Sequence, residues 1–205
     1  MRVFLGITGA SGAPYAARVL RGLVEAGVEV GLCVSEAGRQ VIGWELYRDR
    51  ELSGPAALDR FLADAGGPSV TAYDELDWFS PYASGSARCD AYIICPCSMA
   101  TCGTIASSAQ ANLIHRAAGV ALKEDRRLIL VPRETPLSVI HLEALLALRR
   151  AGALVAPAMP EFYSHPDTLE DAIAGFAGRV LDLAGVEHGI GRRWGSSDPA
   201  TMDPT

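Results

Sequence analysis

Residues 2–16, RVFLGITGASGAPYA, decide the fold of this chain. The run at 3–7 is continuously apolar, as in a strand buried on both faces, and a turn of small residues leads from it into a helix. Residues 13–26 place apolar side chains on one stripe, and the pattern ends at Gly27, a common helix stop. A buried strand, a tight turn and a helix form the first half of a βαβ unit, whose turn often holds a phosphate.

The rest of the chain repeats this alternation. Strand patterns occur at 28–34, 91–95, 127–132 and 153–156, and helical patterns at about 36–47, 100–109, 111–124, 138–151 and 167–184. Such alternation predicts an α/β domain with a parallel sheet covered by helices on both faces, and ligands beyond the carboxyl ends of the strands. We interpret the polar stretch 48–82 as an insertion with a short helix near 55–65 and a strand near 69–73. The domain is expected to span 1–195, with 196–205 as a disordered tail.

Composition restricts the class of function. A chain of 205 residues that is 49% hydrophobic can bury one substantial core. The net charge of −6 and the scattered arginines give no footprint for nucleic acid and favour small anionic ligands. The first strand pattern begins at Arg2, and no apolar run approaches the roughly 18 residues of a membrane span. We therefore expect a cytoplasmic protein that contacts neither nucleic acid nor membrane.

Five cysteines form an odd set, and disulfides are not expected in the cytoplasm. Cys95, Cys97 and Cys102 cluster, but no fourth Cys or His follows at a usual metal spacing. Buried structural thiols are favoured over a metal site.

The glycine-rich turn first suggests a nicotinamide-dependent reductase, because Gly6, Gly9 and Gly12 fit G-x-x-G-x-x-G. Tyr15, however, stands where such reductases have another glycine, which allows close packing of helix on strand. Their Tyr-x-x-x-Lys pair is also missing, since the single lysine is Lys123 and the residue four before it is glycine. A mononucleotide site remains, in which small residues, the Ser11 hydroxyl and a helix amino terminus favour an anion. A tight turn without a ligand stays open as the alternative.

Other strand ends carry polar groups. Ser98 and Thr101, after the strand at 91–95, suit either helix capping or ligand binding. Arg133 and Glu134 follow the strand at 127–132 and suit either a site or a local ion pair before a proline-started helix. Further hydroxyls, cations and aromatic rings, and a second turn of small residues at 84–86, lie in loops and helices near other strand ends: Trp78, Ser84, Gly85, Ser86, Lys123, Tyr163, Arg179 and Trp194. Together these residues fit an aromatic phosphate ligand.

The order and spacing of several segments resemble the UbiX family of flavin prenyltransferases over nearly the whole chain, from 2 to 195. The segments are GITGASGAPY, DWFSPYASGS, ICPCSMATCGTIA, NLIHRAAGVALKEDRRLILVPRETPLSVIHLE, PEFYSHPDTLEDAI and RRWG. The resemblance implies a single Rossmann-like (flavodoxin-like) domain that binds reduced FMN and joins a dimethylallyl group from dimethylallyl phosphate to flavin N5 and C6, without a metal. It also implies that prenylated FMN serves a UbiD-type decarboxylase, and that the protein is a homo-oligomer, commonly a dodecamer, with active sites between subunits.

The resemblance also assigns roles to residues. FMN binding falls to Gly9, Ala10, Ser11, Ser35, Ser98, Met99, Ala100, Thr101 and Arg133. Prenyl-phosphate binding falls to Arg116, Lys123, Arg133, Tyr163, Arg179 and Trp194, with Trp78, Ser84, Gly85 and Ser86 beside them. The catalytic set is Ser11, Glu45, Lys123 and Glu134, and the acceptor of the C6 proton is left open among Glu45, Glu134 and the released phosphate. Gly119, Glu36 and the pair 99–100 depart from the usual family residues.

Two other functions are alternatives for this chain. FMN-dependent cysteine decarboxylases share the fold, but their P-x-M-N-x-x-M-W block and the catalytic His are missing here, because PAMPEFYS lacks the Asn. A non-catalytic FMN carrier would not need a second phosphate pocket, which Lys123, Glu134, Tyr163 and Arg179 suggest. Whether the donor is a mono- or diphosphate stays open.

Overall fold

A computed structural model describes residues 1–191 of the chain. Six parallel strands form one sheet in the order β3-β2-β1-β4-β5-β6. The strands are β1 (Arg2–Ile7), β2 (Glu29–Val34), β3 (Val70–Tyr73), β4 (Ala91–Cys97), β5 (Arg127–Pro132) and β6 (Leu154–Val155). The helices are α1 (Ala13–Glu25), α2 (Glu36–Tyr47), α3 (Gly54–Ala65), α4 (Met99–Ala106), α5 (Leu113–Lys123), α6 (Val139–Arg150) and α7 (Leu169–Ala184), with a 3₁₀ turn at Pro81–Ala83.

The central strands are buried along their length, and each face of the sheet carries its own apolar cluster. On one face, Leu5 and Ile93 pack against α1, and α1 in turn packs against α7. On the other face, Phe4 and Ile94 pack against α5 and the 3₁₀ turn. Alternate residues of one strand thus serve opposite layers, which confirms the expected α/β architecture.

The interpretation of 48–82 as an insertion is wrong. The helix and strand expected there exist as α3 and β3, but β3 pairs in parallel with β2 and forms the edge of the sheet. The segment therefore continues the strand–helix alternation. Its strand is short and only partly buried, which is why its sequence shows no strong apolar run.

The order of the strands reverses between β1 and β4. From β1 the chain builds β2 and β3 on one side, and then crosses to build β4, β5 and β6 on the other. Loops that leave β1 and β4 must diverge to opposite faces, so a crevice opens beyond the carboxyl ends of these two strands. Among the described residues, no helix is long and apolar enough to cross a membrane.

Candidate active site at the carboxyl edge of the sheet

Two glycines shape the turn between β1 and α1. A Cβ atom on Gly9 would lie 2.6 Å from the Cβ of Ala37, so glycine is needed for α2 to begin this close to the turn. Gly12 has a φ of 131°, where residues with a side chain are strained. The turn leaves Gly9 and Ser11 exposed and buries Ala10.

Glu45 of α2 caps the amino terminus of α1. Its Oε2 atom accepts hydrogen bonds from the backbone amides of Gly12 and Ala13, both at 2.8 Å. First-turn amides have no partner within their own helix, and a carboxylate also suits the positive end of the helix dipole. The anion that the sequence predicts at this terminus is therefore a side chain of the protein.

Thr8 ties the ends of β1 and β4 together. Its buried hydroxyl donates to the carbonyl oxygen of Pro96 at 2.9 Å and accepts from the amide of Ser98 at 2.8 Å. These two bonds fix the start of α4 beside the glycine turn. The crevice at the strand reversal is thus built from two loops joined through one side chain.

Ser98 and Ser35 both cap helices with their hydroxyl oxygens. Ser98 accepts from the amide of Thr101 at 3.2 Å, which confirms capping as one of the two roles open for it. Ser35 accepts from the amide of Gly38 at 3.1 Å at the start of α2. Two helices therefore begin beside the crevice, and their first-turn amides provide donors suited to an anion.

Arg133 extends from the end of β5 to the glycine turn. Its Nε atom donates to the carbonyl oxygen of Ser11 at 3.1 Å, across the position of β4. The exposed carboxylate of Glu134 accepts instead from the amide of Thr135. Among the ion pairs of the described residues, Arg133 and Glu134 do not form one, and the next helix begins only at Val139 with Ser138 as its cap. Arg133 therefore belongs to the crevice.

A second group of predicted site residues lies at the opposite edge of the sheet. Helix α5 runs back toward the amino ends of the strands and ends at Lys123, whose ammonium pairs with Glu124 and lowers the pKa of that carboxyl. A Cβ atom on Gly85 would lie 2.7 Å from Lys123 Nζ, so the turn at 84–86 lies beside this lysine. Within one chain, Lys123 and Arg133 are on opposite edges.

The remaining predicted residues lie at intermediate or peripheral places. Arg116, one turn into α5, donates to the carbonyl oxygen of Ala83 at 2.8 Å, and Trp78 lies in the loop between β3 and the 3₁₀ turn. Tyr163, in the loop before α7, and Arg179, on α7, are exposed. Trp194 and the predicted tail at 196–205 are outside the described residues.

A cavity of about 500 Å³ adjoins the glycine turn. It lies between the starts of α1 and α7 and the end of α2. Its lining residues are Ser11, Gly12, Pro14, Tyr15, Trp44, Glu45, Arg48, Leu169 and Ile173. The Tyr15 ring packs edge-on against Phe176 of α7 with centroids 5.2 Å apart, and burial raises its pKa. Tyr15 thus packs on the neighbouring helix, where a reductase would need a glycine against the strand.

All five thiols are buried and free. Burial raises the pKa of Cys95 to about 12. The sulfur atoms of Cys97 and Cys102 lie 3.4 Å apart, and this contact together with burial raises the pKa of Cys97. In the described part of the chain, no three His, Cys, Asp or Glu side chains gather as a metal site requires.

Several residues at this edge lie outside the set predicted from the sequence. Thr8 directly precedes Gly9 in the turn motif, and its place at a strand end was the available signal. Arg48, the C-cap of α2, follows Glu45 by three residues and Trp44 by four, so the helical period could have placed Arg48 beside each of them. Leu169 and Ile173 reach the cavity only because α7 packs beside α1, which no local pattern reveals.

Comparisons with known proteins agree with this geometry. Residues 1–177 match the model of the Flavoprotein family. The flavin prenyltransferase UbiX of Halalkalibacterium halodurans is 45% identical over 194 residues, which cover 93% of this chain and 92% of that protein.

Solved structures give the same picture. The crystal structure of AnUbiX in complex with FMN and dimethylallyl pyrophosphate aligns with a TM-score of 0.86 and 38% identity, over 96% of this chain and 98% of that one. A dodecameric FMN-dependent UbiX-like decarboxylase from Escherichia coli O157:H7 aligns with a TM-score of 0.83 and 40% identity, over 95% and 99% of the two chains. An FMN-dependent cysteine decarboxylase, TvaF, at 18% identity and a TM-score of 0.58, shares the fold alone.

Proposed function

Because this chain belongs to the UbiX family of flavin prenyltransferases, within the Flavoprotein family, we propose that it joins a dimethylallyl group from dimethylallyl phosphate to N5 and C6 of reduced FMN. The observation that carries the proposal is the contact between Arg133 and Ser11. It places a permanent cation from the end of β5 against the glycine turn after β1, at the crevice where an α/β sheet binds ligands.

The donor set of the crevice fits FMN as a substrate. The starts of α2 and α4 provide amides and hydroxyls, and Arg133 provides a cation, a combination suited to a phosphate dianion. The exposed Gly9 and Ser11 leave room for a flat ring against the turn. We assign FMN binding to Gly9, Ala10, Ser11, Ser35, Ser98, Met99, Ala100, Thr101 and Arg133.

Transfer of the allyl group needs stabilisation of a leaving phosphate. The bond between donor C1 and oxygen breaks with its electron pair on the phosphate, and N5 forms a bond to C1. Cations that hold the leaving group more strongly as its charge grows accelerate this step. We assign this role to Arg133, Arg179 and Lys123, with Tyr163 and Arg116 nearby. N5 loses its proton as it is alkylated. In ring closure C2 of the donor takes a proton while C6 bonds to C3, and C6 then releases its own proton. Glu45 and Glu134 remain the two side-chain candidates for accepting the C6 proton.

Lys123 can join Arg133 only if it comes from a second copy of the chain, because the two residues lie on opposite edges of one sheet. A homo-oligomer with sites between subunits supplies that arrangement, and the related Escherichia coli structure is a dodecamer. Mixing the inactive variants Lys123→Ala and Arg133→Ala before reassembly should restore part of the activity. Mixed oligomers that stay inactive would contradict the shared site.

The decisive experiment is to incubate the protein anaerobically with reduced FMN and dimethylallyl phosphate and then to measure the mass of the flavin. We expect a flavin heavier by one five-carbon unit, with dimethylallyl diphosphate run in parallel to identify the donor. Unmodified FMN with both donors would refute the transferase and favour an FMN carrier or a decarboxylase-like flavoprotein. We further propose that the product activates a UbiD-type decarboxylase, which is tested by adding the modified flavin to such an apoenzyme.

A further inference from the structure

The cavity beside the glycine turn has an apolar lining. Pro14, Tyr15, Trp44, Leu169 and Ile173 present rings and aliphatic chains from three different helices. Trp44 is about half exposed, and the guanidinium of Arg50 lies over its ring at 4.6 Å from the centroid. This cation–π contact holds one aromatic wall at the mouth of the cavity.

The charged groups of the lining contribute little to the binding of an ionic ligand. Glu45 already uses Oε2 for the amides of Gly12 and Ala13. Arg48, the C-cap residue of α2, is exposed to water, where an ionic contact contributes little. What the cavity offers a ligand is therefore mainly apolar surface.

The cavity adjoins the proposed active site through Ser11. Ser11 lines it, and the carbonyl oxygen of the same residue accepts from Arg133. Its volume of about 500 Å³ lies within the range of about 300–1,000 Å³ that holds drug-sized ligands. A dimethylallyl group, with five carbon atoms, leaves much of this space unfilled.

Resting on the proposed function, we propose that this cavity binds the hydrocarbon chain of longer allylic phosphates, of the ten-carbon class, and admits them as donors. In such a donor the additional carbons are attached to C3. N5 bonds to C1 and loses its proton as the phosphate leaves with the C1–O electron pair. C2 then takes a proton while C6 bonds to C3, and C6 releases its own proton. The added chain takes no part in these bonds, so the same chemistry serves both donors.

Binding is measured first, by calorimetry on flavin-free protein with geranyl phosphate, dimethylallyl phosphate and inorganic phosphate. Burying the additional carbons should make geranyl phosphate bind about tenfold tighter than dimethylallyl phosphate, with a negative heat-capacity change. Equal affinity for the two prenyl phosphates would overturn the inference.

Transfer is measured next, as the ratio of geranylated to dimethylallylated flavin by mass. Leu169→Trp narrows the cavity and should lower this ratio about tenfold, whereas Ala56→Trp adds the same ring on the exposed surface of α3 and should not change it. Trp44→Ala removes the aromatic wall and should weaken geranyl phosphate binding, which keeps the test valid if Leu169→Trp fails to fold.

The outcomes separate the two proposals. Dimethylallyl transfer without any geranyl transfer overturns the inference and leaves the proposed function intact. Geranyl transfer that none of the cavity variants alters also overturns it. The absence of transfer from both donors refutes the proposed function itself.

Discussion

Removal of the Glu45 carboxylate should destabilise the first turn of α1, which it caps. The carboxylate accepts two backbone amides at 2.8 Å, from Gly12 and Ala13, and the next residue is a proline without an amide. A hydrogen bond to a charged acceptor contributes about 1.5–3 kcal/mol, and loss of an N-terminal cap costs about 0.5–2 kcal/mol. Glu45 is only partly buried and water can replace it, so we expect Glu45→Ala to lower the free energy of unfolding by about 2 kcal/mol.

Glu45→Gln separates the contribution of the hydrogen bonds to the free energy of unfolding from that of the negative charge. Glutamine keeps an oxygen that can accept both amides but loses the attraction between the charge and the helix dipole, which contributes about 0.3–1 kcal/mol. We expect Glu45→Gln to cost less than half as much as Glu45→Ala. Inorganic phosphate should stabilise Glu45→Ala more than the wild type, because an anion can take the vacated position.

Urea unfolding followed by circular dichroism, at one protein concentration, gives the free energies. Hydrogen exchange gives the local effect, since the amides of Gly12 and Ala13 should lose protection in Glu45→Ala. Glu51→Ala, an exposed carboxylate three residues beyond Arg48, is the control. Wild-type unfolding together with wild-type protection at both amides in Glu45→Ala would refute the capping role.

Lys123→Ala should slow prenylation about a hundredfold or more while flavin absorbance shows FMN still bound; loss of FMN would mean that the residue is misassigned. Thr8→Val leaves the partly buried amide of Ser98 without its partner and should cost about 1–2 kcal/mol in urea unfolding, unlike Thr8→Ser, which keeps both bonds. Stability should fall as pH rises from 9 toward 12, because thiols that ionise normally in the unfolded chain stay protonated in the folded one, and each contributes about 1.5–2 kcal/mol of loss by pH 10. The thiols concerned have pKa values raised by burial to about 11 or 12: Cys33, Cys89 and Cys95. Urea unfolding measured between pH 9 and pH 12 checks this, and a constant free energy of unfolding over that range would contradict the prediction.

The sequence predicts the central sheet well because each central strand is buried on both faces and so carries a continuous apolar run. β1, β2 and β5 begin or end within a residue of the expected positions. β3 lacks such a run because it is an edge strand and only partly buried, so its pairing in the sheet is not evident from its sequence. Its pairing with β2 depends on the whole topology, so a local pattern suggested an insertion.

The candidate site was predictable to the extent that it follows from strand ends. Ser98 and Arg133 come directly after strands and Ser11 lies in the turn that follows β1, and parallel strands bring their carboxyl ends to one edge. Lys123 ends a helix that runs antiparallel to the strands, and that alone places it at the other edge. The contacts made by Glu45 and Thr8 are not visible in the sequence, even though a strand end singles out Thr8, because each contact depends on the packing of distant segments: α2 against α1, and β1 against β4.

Glu45 links stability and chemistry, and this determines how its variants must be interpreted. The residue caps α1 and also lines the cavity beside the proposed transfer site. Loss of activity in Glu45→Ala would therefore not distinguish proton transfer from a displaced glycine turn. Glu45→Gln does distinguish them, because an amide can still cap the helix but cannot accept the C6 proton. If Glu45 is that acceptor, Glu45→Gln should stop the reaction after N5 is alkylated while retaining most of the stability. If Glu45→Gln still completes ring closure, Glu45 is a positioning residue, and the acceptor of the C6 proton is Glu134 or the phosphate.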